Sequence, residues 1–192
     1  MSCEPVFERA GTYLLEQIRK ALVPAVLQTE DGIQITFPKA ERDYRVGICL
    51  YDVEEVRPYG TPRPIRNEAT REIRGASRSF ILHFLVYANQ NTPFDSMTAT
   101  DEMVLIEAVM RAIHNSTPLE LEGEKVELHF DKLSLGEKTN LWQSFSSPIR
   151  PAVYLSMEPL VVPSTKLERY VPVREVDVKS GRKPERKEKQ LV

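Results

Sequence analysis

Phe80-Ile81-Leu82-His83-Phe84-Leu85-Val86-Tyr87 is the stretch that most constrains what this chain can fold into. It offers eight residues of high β propensity whose two alternating faces are both apolar. Such a strand belongs at the centre of a sheet, because an edge or half-wet position would leave one of those faces in water. Residues 45–53 repeat the pattern, with Val46, Ile48 and Leu50 on one side and Cys49 and Tyr51 on the other, and read as a second internal strand. Gly47 inside that strand is unusual, since glycine has no side chain to pack.

Around these two strands the periodicity alternates between 3.6 and 2. Phe7, Ala10, Leu14, Ile18 and Ala21 form one helical stripe that Pro24 ends, and Ile33-Gln34-Ile35-Thr36-Phe37, entered through Asp31-Gly32, is a short strand with one buried face. Thr98 followed by Asp101 is a capping signal for a helix whose stripe is Met103, Ile106, Met110 and Ile113. Val126, Leu128 and Phe130 alternate with Glu127, His129 and Asp131 in a strand with one wet face, which puts His129 in solvent. A short helix from about Glu137 gathers Leu141, Trp142 and Phe145, and a last strand, Ala152–Val162, turns Val153, Leu155 and Met157 inward. Residues 57–79, with Pro58, Pro62, Pro64 and six arginines, cannot pair as a central strand and read as a long excursion. Strands and helices without a regular βαβ rhythm predict an α+β fold, a mixed or mainly antiparallel sheet with helices packed on it. One domain is expected over residues 1–162, followed over 163–192 by an extended arm and a basic, disordered tail.

Composition narrows the function classes. The chain has 192 residues, 41% of them hydrophobic, which suffices for one ordinary core. No stretch has the roughly 18 to 20 apolar residues needed to span a bilayer, so a cytoplasmic protein with no membrane partner is expected. Cys3 and Cys49 form no CxxC pair and read as reduced thiols. His83, His114 and His129 lack HExxH or HxH spacing, and no P-loop or dinucleotide fingerprint occurs, so no metal, no cofactor and no catalytic residue is expected. His83, a lone histidine in an apolar strand, reads as a core or interface residue that has found a hydrogen bond. Asp52, Glu54 and Glu55 read as solvated charges at a strand end.

Charge is unevenly distributed. Residues 179–189 carry six basic and two acidic side chains, which leaves the first 178 residues with 20 basic against 26 acidic. Both this tail and the arginine-rich excursion raise the possibility of nucleic-acid contact, but glutamates dilute the tail and no aromatic residues interleave for base stacking. The excursion fits acidic patches on neighbouring subunits as well. The candidate contact residues are therefore Arg63, Arg66, Arg71 and Arg74, together with Val171, Val173, Val176 and Val178. Those valines alternate as in a strand that has no obvious partner in its own domain, and Pro172 restricts them to a sheet edge, as in an arm that adds a strand to a neighbour.

Three segments in order resemble the tail-terminator or cap proteins of bacterial contractile injection systems, the headless phage-tail-like particles. They are the strand Arg45-Val46-Gly47-Ile48-Cys49-Leu50-Tyr51-Asp52-Val53-Glu54-Glu55, the Arg/Pro-rich loop entering Leu82-His83-Phe84-Leu85-Val86-Tyr87 with the helix after it, and Leu141-Trp142 leading to Pro148-Ile149-Arg150-Pro151-Ala152-Val153-Tyr154. The likeness covers roughly residues 5–162. It implies a non-catalytic ring of six subunits, with sheath and inner-tube proteins as partners, that ends polymerisation of both. The alternatives are an adaptor or completion protein elsewhere in a phage-like tail, and a small nucleic-acid-binding protein using the basic segments.

Overall fold

A computed structural model describes residues 5–38, 43–56, 64–89, 97–121 and 123–170. Helix α1 spans Val6–Leu22; after a single 3-10 turn come β1 (Ile33–Ile35), β2 (Val46–Val56), β3 (Ile65–Asn67), β4 (Glu72–Arg74) and β5 (Arg78–Ala88). Then follow α2 (Ala99–His114), β6 (Leu119–Leu121), β7 (Glu124–Phe130), α3 (Leu135–Ser144), β8 (Ala152–Val162) and β9 (Leu167–Arg169). Six strands make one sheet in the order β1-β2-β5-β8-β7-β6, in which only β1 runs parallel to its neighbour. The strand expected at the centre, β5, is flanked by β2 and β8. The remaining strands form a second sheet, β3-β4-β9.

Alternation along β5 divides the core in two. Leu82, Phe84 and Val86 face one way and join Val46, Ile48, Val153, Leu155 and Met157 beneath α1 and α2. Leu85 and Tyr87 face the other way and join Cys49, Tyr44, Tyr154 and Trp142 of α3. Helices therefore cover both sides, as a strand apolar on both faces requires.

The stripe of α1 is seated as expected through Ala10, Leu14 and Ile18, but its last step is Leu22, and Ala21 is exposed. On α2 half of the expected stripe is seated: Ile113 is buried and Ile106 packs against the core, whereas Met103 is 68% and Met110 is 47% exposed and Leu105, Val109 and Ala112 are buried in their place. The helix carries apolar residues on two adjoining faces of the same 3.6-residue period, and only contact with α1 and the sheet selects between them. The Thr98–Asp101 capping box is present, with Asp101 N–H donating to Thr98 Oγ1 at 3.2 Å and Thr98 N–H to Asp101 Oδ2 at 3.0 Å. On β7, Val126 is buried and His129 exposed, but Phe130 is 46% exposed at the rim of a groove it shares with Tyr13, Thr117 and Pro118. Asp52, Glu54 and Glu55 lie on β2 itself rather than in a loop beyond it.

The face toward α3 is built from aromatic rings. Trp142 is 1% exposed, donates through Nε1 to Tyr154 Oη at 2.9 Å, and meets the Tyr87 ring edge-on at 5.9 Å. Tyr87 shares a 2.8 Å hydroxyl contact with Tyr44. Burial pushes both phenols above the usual tyrosine range, so they stay neutral donors. Gly47 makes this packing possible. It stands directly opposite Tyr87 across the β2–β5 pair, and a Cβ there would overlap the Tyr87 ring. The ring lies over the glycine backbone and fills the space a side chain would take. Gly47→Ala should accordingly cost about 1–3 kcal/mol by overpacking, and Trp142→Ala about 3–5 kcal/mol by cavity formation. Chemical denaturation of the two variants checks both figures, and wild-type stability in Gly47→Ala would refute the close approach.

Candidate functional site

His83 is the half-buried histidine of the sheet, with a carboxylate beside each ring nitrogen. Its Nδ1–H donates to Asp131 Oδ2 at 2.9 Å, its Nε2 lies 3.8 Å from Glu54 Oε2, and the Tyr51 ring sits 5.9 Å away. Both ring nitrogens face carboxylates, from β2 on one side and from the residue after β7 on the other. This arrangement clasps three strands together; Ser156 stands opposite His83 in the β5–β8 ladder, with no hydrogen bond between the two side chains among the described residues. The Cys49 thiol is buried and pushed up to about 11 by desolvation, which keeps it an unreactive thiol. Among the described residues no group of three or more His, Cys, Asp or Glu side chains could hold a metal ion, and no helix is long and apolar enough to cross a membrane.

The arginine-rich segment is a site of a different kind. It does not pair within the main sheet, as expected, yet it is no structureless excursion, because β3 and β4 form a hairpin within it. The turn is set by Asn67, whose Oδ1 accepts from the N–H groups of Ala69 and Thr70 at 3.1 and 3.3 Å, and by Arg71 in the left-handed region at φ 54°. Arg66, Arg71 and Arg74 are all exposed; Arg63 lies outside the described residues. The guanidinium of Arg66 stands 5.9 Å from the centre of the Tyr170 ring.

A second correction concerns the start of the arm. Leu167–Arg169 has a partner in its own chain, since β9 pairs antiparallel with β4 from Arg74↔Leu167 to Glu72↔Arg169. This continues the β5–β8 ladder. After residues 75–77 on one side and 163–166 on the other, the two paths pair again, with Gly75 N–H donating to Lys166 O at 2.9 Å and Tyr170 N–H to Arg71 O at 3.1 Å. Three-residue strands far apart in sequence leave little signal, because their pairing depends on the register of the longer strands that precede them. Val171, Val173, Val176 and Val178 lie outside the described residues.

The result is a ribbon that extends past the core. All residues of β3 and β9 are exposed, Ile65 by 59% and Leu167 by 49%, and these two flank Arg74 in one cross-strand row. The edges of the main sheet, by contrast, are guarded. On the β1 side, Arg19 Nη2 donates to Ile33 O at 3.1 Å, and β6 is three residues long with Glu120 exposed. The exposed face of α2, with Met103, Val104 and Met110, completes the set of surfaces. Apolar periodicity revealed that helix but assigned its outer face to the core.

The exposed features of this α+β domain are thus a basic ribbon and an apolar helix face. The model of the Pvc16 N-terminal domain family matches residues 11–175, and the chain belongs to that family. Two solved structures share the fold. One is a PVC sheath/tube terminator of an extracellular contractile injection system in its extended state, with TM-score 0.65 and 16% identity over 96% of this chain and 66% of that one. The other is the tube-terminating cap of the anti-feeding prophage, with TM-score 0.64 and 15% identity over 92% of this chain and 61% of that one. The chain thus spans about two thirds of the length of each. No curated protein matches.

If β9 is held by β4, a chain ending at Val162 should keep the main core and its cooperative unfolding, while the amides of Gly75, which donates to Lys166 O, and of Ile73, two residues earlier on the same edge of β4, lose protection from hydrogen exchange. Unchanged exchange at those amides in the shortened chain would refute the pairing.

Proposed function

We propose that this chain is a cap subunit of a contractile phage-tail-like injection particle, forming a ring that ends the inner tube and the sheath. What carries the proposal is membership of the Pvc16 N-terminal domain family over residues 11–175, joined to a fold shared with a sheath/tube terminator and with a tube-terminating cap. Terminating a polymer calls for a surface that fits the last subunit and a far side that does not receive another. It needs no bond-making chemistry, in keeping with a chain whose exposed features are surfaces. The ring is proposed to hold six copies, assembled in the cytoplasm with tube and sheath proteins as partners. Residues 1–162 form the cap body and residues 163–192 its arm. Within that arm Leu167–Arg169 is already paired to β4, so strand addition to a neighbour falls to Val171, Val173, Val176 and Val178. The arginines of the hairpin, Arg63, Arg66, Arg71 and Arg74, are proposed contacts with acidic neighbours.

The full-length protein, mixed with purified inner tubes that display open ends, should form closed rings, decorate one end of each tube and stop its elongation. Negative-stain electron microscopy with class averages reads ring formation and symmetry together. A protein that neither forms rings nor binds tube ends at any concentration would overturn the cap function.

A further inference from the structure

The sequence divides sharply by charge once the fold is known. Residues 64–78 and 166–170, which supply the ribbon, carry six basic and three acidic side chains, a net of +3. The remaining sequence up to residue 165, residues 1–63 and 79–165, carries 13 basic and 21 acidic side chains, a net of −8. The basic groups stand on a projection without a core of its own, since three-residue strands exposed on both faces bury too little to be stable in isolation. Among the described residues no carboxylate forms an ion pair with Arg71, Arg74 or Arg169, whereas Arg78 is paired to Glu55 and Lys166 to Glu168. Glu72 stands opposite Arg169 across the ladder, but the ribbon keeps a net positive charge around Ile65 and Leu167.

We infer that the ribbon of one copy docks on the acidic β6–β7 flank of the next copy, so that it is the head-to-tail contact of the ring. This rests on the ring proposed above. A contact that closes a ring joins two different surfaces of the same chain. The acids of β2 are poor receivers, because they stand at the root of the ribbon itself and two of them are engaged by Arg78 and His83. The β6–β7 hairpin lies at the sheet's other flank with Glu120, Glu124 and Glu127 exposed; Lys125 stands opposite Glu120 and His129 lies 4.0 Å from Glu127, but neither Glu120 nor Glu124 forms an ion pair among the described residues and the acids outnumber the single lysine. Phe130, 46% exposed on β7, offers apolar surface to Ile65 and Leu167. Opposite charges on surfaces that meet in every copy steer the encounter and set its register, and the same charges repel ribbon from ribbon.

Two full-length variants test this contact: Arg71→Glu/Arg74→Glu/Arg169→Glu, which reverses the ribbon, and Glu120→Lys/Glu124→Lys/Glu127→Lys, which reverses the flank. Each alone should raise the concentration needed for ring assembly by at least about tenfold, read by mass photometry, with unfolding temperature unchanged. Mixed in equal amounts the two should regain rings, with the variants alternating around them. The wild-type ring should also loosen at about 1 M salt, where the screening length falls to about 3 Å. If reversal disturbs folding, Arg71→Ser/Arg74→Ser/Arg169→Ser should show the same loss of assembly to a smaller extent. Rings formed normally by the ribbon variant would overturn the inference, and if those rings no longer bound tube ends the ribbon would be a tube contact instead. Loss of assembly in each variant without recovery in the mixture would overturn the pairing of these two surfaces. Absence of rings from the wild-type protein, in solution and on tube ends alike, would instead remove the cap function on which the inference rests.

Discussion

Everything in this molecule is arranged around a strand that cannot tolerate water on either face. Because β5 is apolar on both sides, it must have a strand on each flank and a helical layer above and below, and β2, β8, the α1/α2 pair and α3 fill those places. The two layers are made differently. Beneath α1 and α2 the packing is aliphatic, whereas beneath α3 it is a set of rings tied by hydroxyls, with Trp142 and Tyr154 on one side of Tyr87 and Tyr44 on the other. The second layer exists only because Gly47 leaves room for Tyr87, so the glycine that looks out of place in a strand is a requirement of the aromatic face.

The same central strands also build the projection. Once β5 and β8 are paired from Tyr87↔Ala152 to Arg78↔Val162, the segment before β5 and the segment after β8 leave the core together, and β4 and β9 can resume the ladder at little further entropic cost. The ribbon is thus an extension of the core ladder into solvent, positioned by the core but not stabilised by burial of its own. This explains why it can carry so many arginines. They remain exposed, and the strands hold Arg66, Arg74 and Arg169 at fixed spacing as a loop would not.

A protein built this way places its binding groups on a rigid scaffold while leaving the sheet edges protected. Arg19 occupies a carbonyl on the β1 side and β6 is short and charged, which discourages indiscriminate edge-to-edge pairing. The separation of a basic ribbon from an acidic body favours ordered, directional association over aggregation, as the proposed ring requires.

Alternation and helical period, read from the sequence, determined the central strand, its apolar neighbours, the capped start of α2, the buried Trp142 and the α+β class, because each of these depends on residues close together along the chain. The family was legible as well, from three segments in their order. The tertiary structure alone decided which of two apolar faces of α2 meets the core, why Gly47 occurs where it does, and that residues 72–74 pair with residues 167–169. The physical reason is common to all three. Period and propensity state what a segment buries but not against what, and a contact between residues about a hundred positions apart acquires its register only when the strands between them have already been placed.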